Sequence, residues 1–289
     1  MKTAYAGRRG VRVRIFRGDA PRLKMGAMFR HLHIVACSPR SGTTLLHEAM
    51  VTCFQVDRHY EHEMRFNLAS AAAGEILLTK RPKDTTYVGA VLESVPDFHV
   101  IYLLRDPRDV IVSRHGKDRG SYYSNIRLWR ELQAAAKPLK THPRFLEIRY
   151  EDFVREPDAV QARIAERFPW LKPLHPFSEY HRYARTSAAS ARAMNEVRPI
   201  GPDSVGLWRR SLGRIKAQQQ LHGSLTPDLV DCGYETSAEW ERVLEGVEPD
   251  FAASRYAERI YFWRRLAARV DGWRKVAAYR RMRRRQAPA

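Results

Sequence analysis

The sequence predicts an α/β protein in which helices flank a parallel sheet. Short apolar runs rich in β-branched residues alternate along the chain with segments of helical character, and this alternation favours a parallel sheet covered on both faces. Polar turns directly follow two of the runs. Basic residues are concentrated at the two ends of the chain. We therefore also predict a basic helical extension at the C-terminus.

The individual elements follow from composition and from the residues that bound them. Strands are predicted at 31–37, 75–80, 99–104 and 145–150, and helices at 43–54, 86–95, 107–117, 157–168 and 211–222. Pro82 ends the second strand, and Pro107 begins a helix because proline is favoured at the first helical position.

Composition indicates a soluble globular protein. The chain has 289 residues, of which 44% are hydrophobic, so it is long enough to bury a core without disulfides or metals. It contains no apolar run of transmembrane length, and the first 30 residues lack the apolar segment of a signal peptide. Three scattered cysteines predict neither a disulfide framework nor a zinc site. We therefore expect a reduced, cytoplasmic protein, either free or peripheral at a membrane.

The charge is distributed unevenly. The net charge is +19, yet residues 1–33 carry +8, residues 251–289 carry +10, and the body between them carries +1. A basic end can bind a polyanion or simply remain a solvated tail, and both interpretations stay open. No specific nucleic-acid recognition is expected.

The C-terminal region shows helical periodicity. Apolar residues recur at helical spacing at Tyr256, Ile260, Trp263, Ala267, Val270, Trp273 and Ala277. Such a stripe, with arginines around it, fits either an interfacial helix on an anionic membrane or a helix packed on the body or on a second chain. The arginine-rich run 280–285 is expected to stay solvated.

The first chemical motif is the turn Ser38-Pro39-Arg40-Ser41-Gly42-Thr43-Thr44, between a predicted strand and a predicted helix. Backbone N–H groups at a helix N-terminus attract anions, and the arginine and hydroxyls exceed what capping requires. The turn is P-loop-like, but Cys37 and Thr43 occupy the glycine and lysine positions of a nucleoside-triphosphate loop. A phosphate or sulfate site is therefore favoured over an ATP site or an ordinary capped turn.

The second motif, 105–113, follows the strand at 99–104. Ligands of parallel sheets bind beyond the carboxyl ends of strands, so Arg105 and Ser113 are placed to hold a second phosphate. The alternative is that Asp106, Arg108 and Asp109 form only a surface ion-pair cluster.

Together the two motifs resemble those of the PAPS-dependent sulfotransferases, over about residues 31–235. The resemblance implies the sulfotransferase fold, 3′-phosphoadenosine 5′-phosphosulfate (PAPS) as donor and 3′,5′-ADP as product. It implies that the 5′ end is bound by Arg40, Ser41, Gly42, Thr43 and Thr44, and the 3′-phosphate by Arg105 and Ser113. The Arg-Tyr-Glu-Asp-Phe segment at 149–153 is also similar to the family. At 205–208 Leu207 replaces a family arginine, so we interpret Trp208 as a core residue. The domains expected are a basic segment at 1–30, the sulfotransferase domain at 31–235 and the basic extension at 236–289.

Local similarity is closest to the protein-tyrosine sulfotransferases, and it implies the catalytic groups. Glu61 would be the general base, and Lys80 and Arg40 would stabilise the leaving and transferring oxygens; no metal is implied. Glu63, His59 and His62 remain alternative bases. The acceptor stays open among peptide tyrosine, glycan, lipid head group and small alcohol.

The expected function is transfer of a sulfonate group to a hydroxyl or amine by in-line displacement. Two other classes are carried as alternatives, namely a P-loop-like nucleotide-dependent kinase and a non-catalytic protein that binds a polyanion or a membrane through its basic ends. The missing loop lysine disfavours the kinase.

Overall fold

A single sheet organises the chain. The computed structural model describes residues 13–15, 28–114 and 120–286. The strands are β1 (Val13–Ile15), β2 (Arg30–Ala36), β3 (Arg58–Tyr60), β4 (Ile76–Lys80), β5 (Phe98–Leu104) and β6 (Phe145–Arg149), in the order β1-β3-β4-β2-β5-β6. Strand β1 is antiparallel to β3, and the other five strands are parallel. The predicted parallel α/β class is confirmed.

Eleven α-helices are found in the described residues. They are α1 (Thr43–Cys53), α2 (Thr85–Leu92), α3 (Pro107–Ile111), α4 (Ile126–Ala136), α5 (Tyr150–Arg155), α6 (Pro157–Arg167), α7 (Tyr180–Tyr183), α8 (Ala188–Met194), α9 (Leu212–His222), α10 (Thr226–Asp231) and α11 (Phe262–Gln286). The four predicted strands are confirmed to within one residue. The helix predicted at 107–117 ends at Ile111, and residues 115–119 lie outside the described residues.

The core lies on both faces of the sheet because side chains of a strand alternate between faces. In β2, Val35 joins a cluster with the inner faces of α2 and α4. Its neighbours Leu32 and Ile34 pack instead with α1, α5 and α6. All three side chains are fully buried, which explains why the sequence of β2 is an unbroken apolar run from Ile34 to Cys37.

The position of helix α11 differs from the prediction for the C-terminal region. It begins at Phe262 rather than near residue 251, and its buried positions are Gly272, Val276, Tyr279 and Arg283. The predicted apolar stripe lies on a different, exposed face, with Trp263 at 75% exposure. The apolar periodicity correctly identified residues that share a face of the helix. The body, however, packs against a different face, which includes Gly272.

Arg283 contradicts the prediction that the run at 280–285 is solvated. Its side chain is buried, its Nη2 donates to the carbonyl of Phe29 at 2.8 Å, and its guanidinium lies 3.9 Å from the centre of the Phe29 ring. Asp97 lies 3.6 Å from the same nitrogen. This arginine therefore holds the C-terminal end of α11 against the residue that precedes β2.

The structure bears on two regions predicted from charge, the basic N-terminal segment and the C-terminal extension. Most of the basic segment predicted at 1–30 lies outside the described residues. Trp240, Leu244, Val276 and Tyr279 of the C-terminal region belong to the same core cluster as Val35 of the sheet. In the described part of the chain, none of the helices combines the length and the apolar character needed to cross a bilayer.

Candidate functional site

The turn between β2 and α1 forms the floor of a cleft at the carboxyl edge of the sheet. The cleft has a volume of ≈ 270 Å³. Its lining includes Arg40, Gly42, Thr43 and Thr44 of the turn together with Arg105. The first motif and the arginine of the second motif therefore lie at one cavity, because the strands that they follow, β2 and β5, are adjacent and parallel.

Gly42 is needed at the N-terminus of α1 for two reasons. Its φ of 92° lies in the left-handed region, and a Cβ atom there would lie 2.5 Å from a ring carbon of Tyr150. Arg40, two residues earlier, also has a positive φ, of 75°. The turn is thus folded tightly against the segment that follows β6, which places the first N–H groups of α1 at the cleft.

The hydroxyls of the turn have different surroundings. Ser41 Oγ is buried, donates to the carbonyl of Ser38 at 2.8 Å and lies 3.1 Å from Cys37 Sγ. Thr43 and Thr44 line the cleft. The Ser41 hydroxyl therefore holds the turn in shape, and only its backbone group remains for an anion.

Arg105 joins the two walls of the cleft. Its Nη1 donates to the carbonyl of Arg40 at 2.8 Å, and its Nη2 donates to the carbonyl of Ser204. The guanidinium carbon lies 4.2 Å from the centre of the Tyr150 ring. Arg105 Nε is buried and has no hydrogen-bond partner among the described residues.

Ser113 lies beside the turn as well. Its Oγ accepts a hydrogen bond from Arg40 Nε at 3.0 Å. The Arg40 guanidinium also lies 5.8 Å from the centre of the Tyr123 ring, another cleft residue. Burial and the neighbouring charge of Arg105 lower the pKa of Arg40. The residues assigned to the two phosphate ends of the donor are therefore in direct contact.

The remaining charges of the second motif are buried, which corrects the alternative of a surface ion-pair cluster. Arg108 is 3% exposed and pairs with Asp106 at 2.8 Å. Its Nη1 reaches Glu235 at 2.5 Å. Its guanidinium lies 4.2 Å from the Trp208 ring and 4.9 Å from the Trp240 ring. Arg108 thus stabilises the body, and Trp208 is the core residue that the sequence indicated.

Asp109 ties the second motif to the segment that carries Ser204. Its carboxylate accepts from the backbone N–H of Gly206 at 2.7 Å and of Trp208 at 2.9 Å. Burial raises the pKa of Asp109, although Arg105 and both N–H groups act to lower it. The carboxylate therefore positions one wall of the cleft.

The four candidate bases lie in different places. Glu63 lines the cleft, whereas Glu61 is half-buried and is not among the lining residues. His62 is exposed, and His59 is buried with its ring 5.6 Å from that of His47. Desolvation of the Glu63 carboxyl raises its pKa, with Arg81 and Lys80 acting in the opposite direction.

Lys80 belongs to a buried polar cluster that sequence reasoning missed. It ends β4 and is 3% exposed, and burial lowers its pKa against the attraction of Glu48 and Glu63. Glu48 accepts from Ser190 Oγ at 2.8 Å and lies 3.4 Å from His47 Nδ1. The signal was present, since His47 and Glu48 are adjacent polar residues in the otherwise apolar middle of α1.

The far wall of the cleft was not predicted. Asn195 and Glu196 have φ angles of 56° and 71°, both left-handed, directly after α8. Both residues line the cleft together with Arg198. Two successive non-glycine residues in this conformation are costly and tend to occur where function constrains the backbone. No short-range pattern in the sequence marks this wall.

The chain was compared with known protein families and structures. Residues 47–170 match the model of a sulfotransferase family. The matched segment covers less than half of the chain. The segment contains Glu61, Lys80 and the second motif, and it begins just after the first motif. No curated protein matched the chain.

Three solved structures are similar to this chain at low identity. The sulfotransferase domain from the olefin synthase of Synechococcus PCC 7002 is 16% identical, with a TM-score of 0.41, over 68% of this chain and 91% of that chain. The sulfotransferase domain from the curacin biosynthetic pathway is 14% identical, with a TM-score of 0.40, over 85% and 98%. Retinol dehydratase, in complex with androsterone and the inactive cofactor PAP, is 15% identical, with a TM-score of 0.37, over 63% and 75%.

Proposed function

We propose that this chain transfers a sulfonate group from PAPS to a hydroxyl or amine acceptor by in-line displacement. The observation that supports it most is the convergence of the turn at 38–44 with Arg105 on one cleft, with Ser113 bonded to Arg40 of the turn. Two separate anion-binding elements suit a donor that carries phosphate at both its 5′ and 3′ positions. The family match over 47–170 supports the same class of reaction.

The turn fits the 5′ end of such a donor. The cleft exposes Thr43 and Thr44 at the start of an 11-residue helix, where N–H groups and the helix dipole favour an anion. Gly42 keeps the backbone open to close approach, and Arg40 adds a cation. Ser41 contributes through its backbone because its hydroxyl is already bonded inside the turn.

Arg105 and Ser113 fit the 3′-phosphate. The Arg105 Nε is a buried donor without a hydrogen-bond acceptor among the described residues, and such groups call for a partner. Ser113 Oγ, 3.0 Å from Arg40 Nε, brings a hydroxyl to the same region. Charge-assisted hydrogen bonds from a guanidinium to phosphate are among the strongest available to a protein.

When bound, PAPS would supply the activated sulfonate. A carboxylate near the acceptor would take the hydroxyl proton, and we assign this role to Glu61, with Glu63, His59 and His62 as the alternatives. Glu63 lines the cleft, and its pKa is shifted upward, which is the direction expected of a general base. Lys80 and Arg40 would stabilise negative charge on the leaving and transferring oxygens.

The experiment is calorimetric titration of the full chain with 3′,5′-ADP, with ATP–Mg²⁺ as the comparison ligand. Micromolar binding of 3′,5′-ADP without binding of ATP–Mg²⁺ is expected. The reverse preference would favour the nucleotide-dependent kinase. Failure of both ligands to bind would contradict a nucleotide site in the cleft and favour the non-catalytic alternative.

A further inference from the structure

Helix α11 consists of two halves with different surroundings. In the C-terminal half, Val276 and Tyr279 are buried in the core. In the N-terminal half, every residue from 262 to 271 is exposed. Phe262, Trp263 and Trp273 are 69%, 75% and 71% exposed, which is unusual for three large aromatic side chains so close together.

The exposed apolar side chains form one stripe. At 3.6 residues per turn, the residues that share this side of the helix are Phe262, Trp263, Leu266, Val270, Trp273 and Ala277. The positions buried against the body, from Gly272 to Arg283, lie on another side. The stripe therefore has no partner within the described residues, although the helix itself is firmly attached.

Basic side chains border this stripe. Helix α11 contains ten Lys and Arg residues and one acid, Asp271, which is paired with Lys275. Arg264 and Arg265 lie on another side of the helix, where they line a cavity between α11 and the body. Arg269 and Arg274 lie along opposite edges of the stripe by helical geometry.

A stripe of aromatic and aliphatic side chains edged by arginine matches the surface of an anionic bilayer. Tryptophan and phenylalanine enter the interfacial region while arginine contacts anionic head groups. A second copy of the chain is a poorer partner, because a symmetric contact would bring two strongly basic helices together. We propose that the N-terminal half of α11 lies in the plane of an anionic lipid surface and docks the protein there.

The structure connects this surface to the cleft. The helix begins six residues after Tyr256. The Tyr256 ring lies 6.2 Å from that of Tyr123, a cleft residue, and the Tyr256 carbonyl accepts from Asn125 Nδ2 at 2.7 Å. The start of α11 is therefore held close to the rim of the cleft.

The test is co-sedimentation of the full chain with vesicles of phosphatidylcholine, alone or with about 30% phosphatidylserine. We expect binding to the anionic vesicles only, weakened by high salt. The W263S/W273S variant should bind about tenfold more weakly. Its matched control is L68S/L174S, which removes two side chains that are 64% and 55% exposed elsewhere, and it should bind like the unchanged protein.

Charge is tested by R269E/R274E, which should lose more than about fivefold in affinity for anionic vesicles. Circular dichroism and melting temperature confirm that each variant is folded. Binding that W263S/W273S leaves intact, equal binding to neutral vesicles, or no binding would overturn the proposal. Light scattering covers the other occupant, since a dimer abolished by W263S/W273S without vesicle binding would assign the stripe to a second copy.

Discussion

The two faces of the sheet each bury a pair of histidines, and the two pairs are bonded differently. Beneath α11, His31 Nδ1 lies 2.7 Å from the Tyr279 hydroxyl and His31 Nε2 lies 2.6 Å from Thr79 Oγ1. His33 Nδ1 lies 2.6 Å from the same Thr79 oxygen. On the cleft face, neither ring nitrogen of His47 has a hydrogen-bond partner among the described residues.

The different bonding of His31 and His47 indicates different roles for the two histidines. The Thr79 hydroxyl has one proton, so it donates to one histidine and accepts from the other, and this choice also sets the direction of the bond between His31 and Tyr279. His31 is bonded through both ring nitrogens, and such buried groups stabilise and specify a fold, whereas His33 Nε2 makes only a 3.5 Å ion-pair contact with Asp84. The unbonded His47 contributes no such bond and lies instead beside Glu48, in electrostatic contact with Lys80. We conclude that His31 stabilises the fold through its hydrogen bonds, whereas His47 contributes through its charged neighbours.

The sharpest test compares the same substitution on the two faces. His31→Leu should lower the free energy of unfolding by about 3 kcal/mol, because the buried Tyr279 hydroxyl loses its partner. His47→Leu breaks only the 3.4 Å contact with Glu48 and should cost less, about 1 kcal/mol. Urea denaturation measures both, and equal losses would break the comparison.

Activity should respond only on the cleft face. Glu61→Gln or Glu63→Gln should lower kcat about a hundredfold, the scale of a lost general base. Release of 3′,5′-ADP from PAPS, with a simple phenol as acceptor, measures turnover. Tyr279→Phe, which alters the opposite face, is the control and should leave kcat unchanged. Full turnover in both glutamate variants would move the base to His59 or His62.

Arg105→Ala should weaken binding of 3′,5′-ADP by about 1.5–3 kcal/mol, the scale of a charge-assisted hydrogen bond. The exposed Arg167 provides a matched control, and Arg167→Ala should leave the dissociation constant unchanged. Calorimetric titration measures both variants. Unchanged affinity for Arg105→Ala would show that the 3′-phosphate lies elsewhere.

Both faces contribute to the pH dependence of stability. Burial holds the pKa of His31 well below 6.5 and lowers that of His47 to about 4. The unfolded chain therefore binds more protons than the folded one below about pH 6.5, so stability falls with falling pH, by about 1.4 kcal/mol per pH unit for each such histidine. Urea denaturation between pH 7 and pH 5 should give a shallower slope for His47→Leu than for the unchanged protein. Identical slopes would show that His47 is not held neutral.

Tyr279→Phe should have a smaller effect on stability than His31→Leu. The ring stays in the core and only the hydroxyl is lost, so the free energy of unfolding should fall by about 1 kcal/mol. Urea denaturation of Tyr279→Phe and of the unchanged protein measures this difference. A Tyr279→Phe protein as stable as the original would mean that water replaces the hydroxyl beside His31.

Much of the sheet was predictable because its strands are buried on both faces. Strand β5 is a continuous apolar segment, and its predicted and observed bounds differ by one residue. Strand β3 was missed because its three residues, Arg58–Tyr60, are polar or amphipathic and carry no alternation. The position of Arg105 at the cleft was predictable because it directly follows β5, whereas Ser113 was named from the motif and was expected inside a helix that ends at Ile111.

Other features depend on contacts that a local pattern does not contain. The periodicity of α11 was visible, yet which of its faces is buried depends on Tyr87, the side chain that Gly272 leaves room for. Arg283 was expected in water because it belongs to an arginine run, and its burial depends on Phe29, far away in the chain. The left-handed pair Asn195 and Glu196 likewise follows from wall packing rather than residue type.

Arg105 has a consequence for how tightly the cleft can hold any anion. Its two terminal nitrogens already serve the carbonyls of Arg40 and Ser204, one on each wall. An anion that recruits them must exchange these bonds, so the affinity measured is the difference between two sets of hydrogen bonds. The exchange would also unfasten the walls from each other. The same guanidinium would therefore both fasten the two walls and limit the affinity of the cleft for an anion.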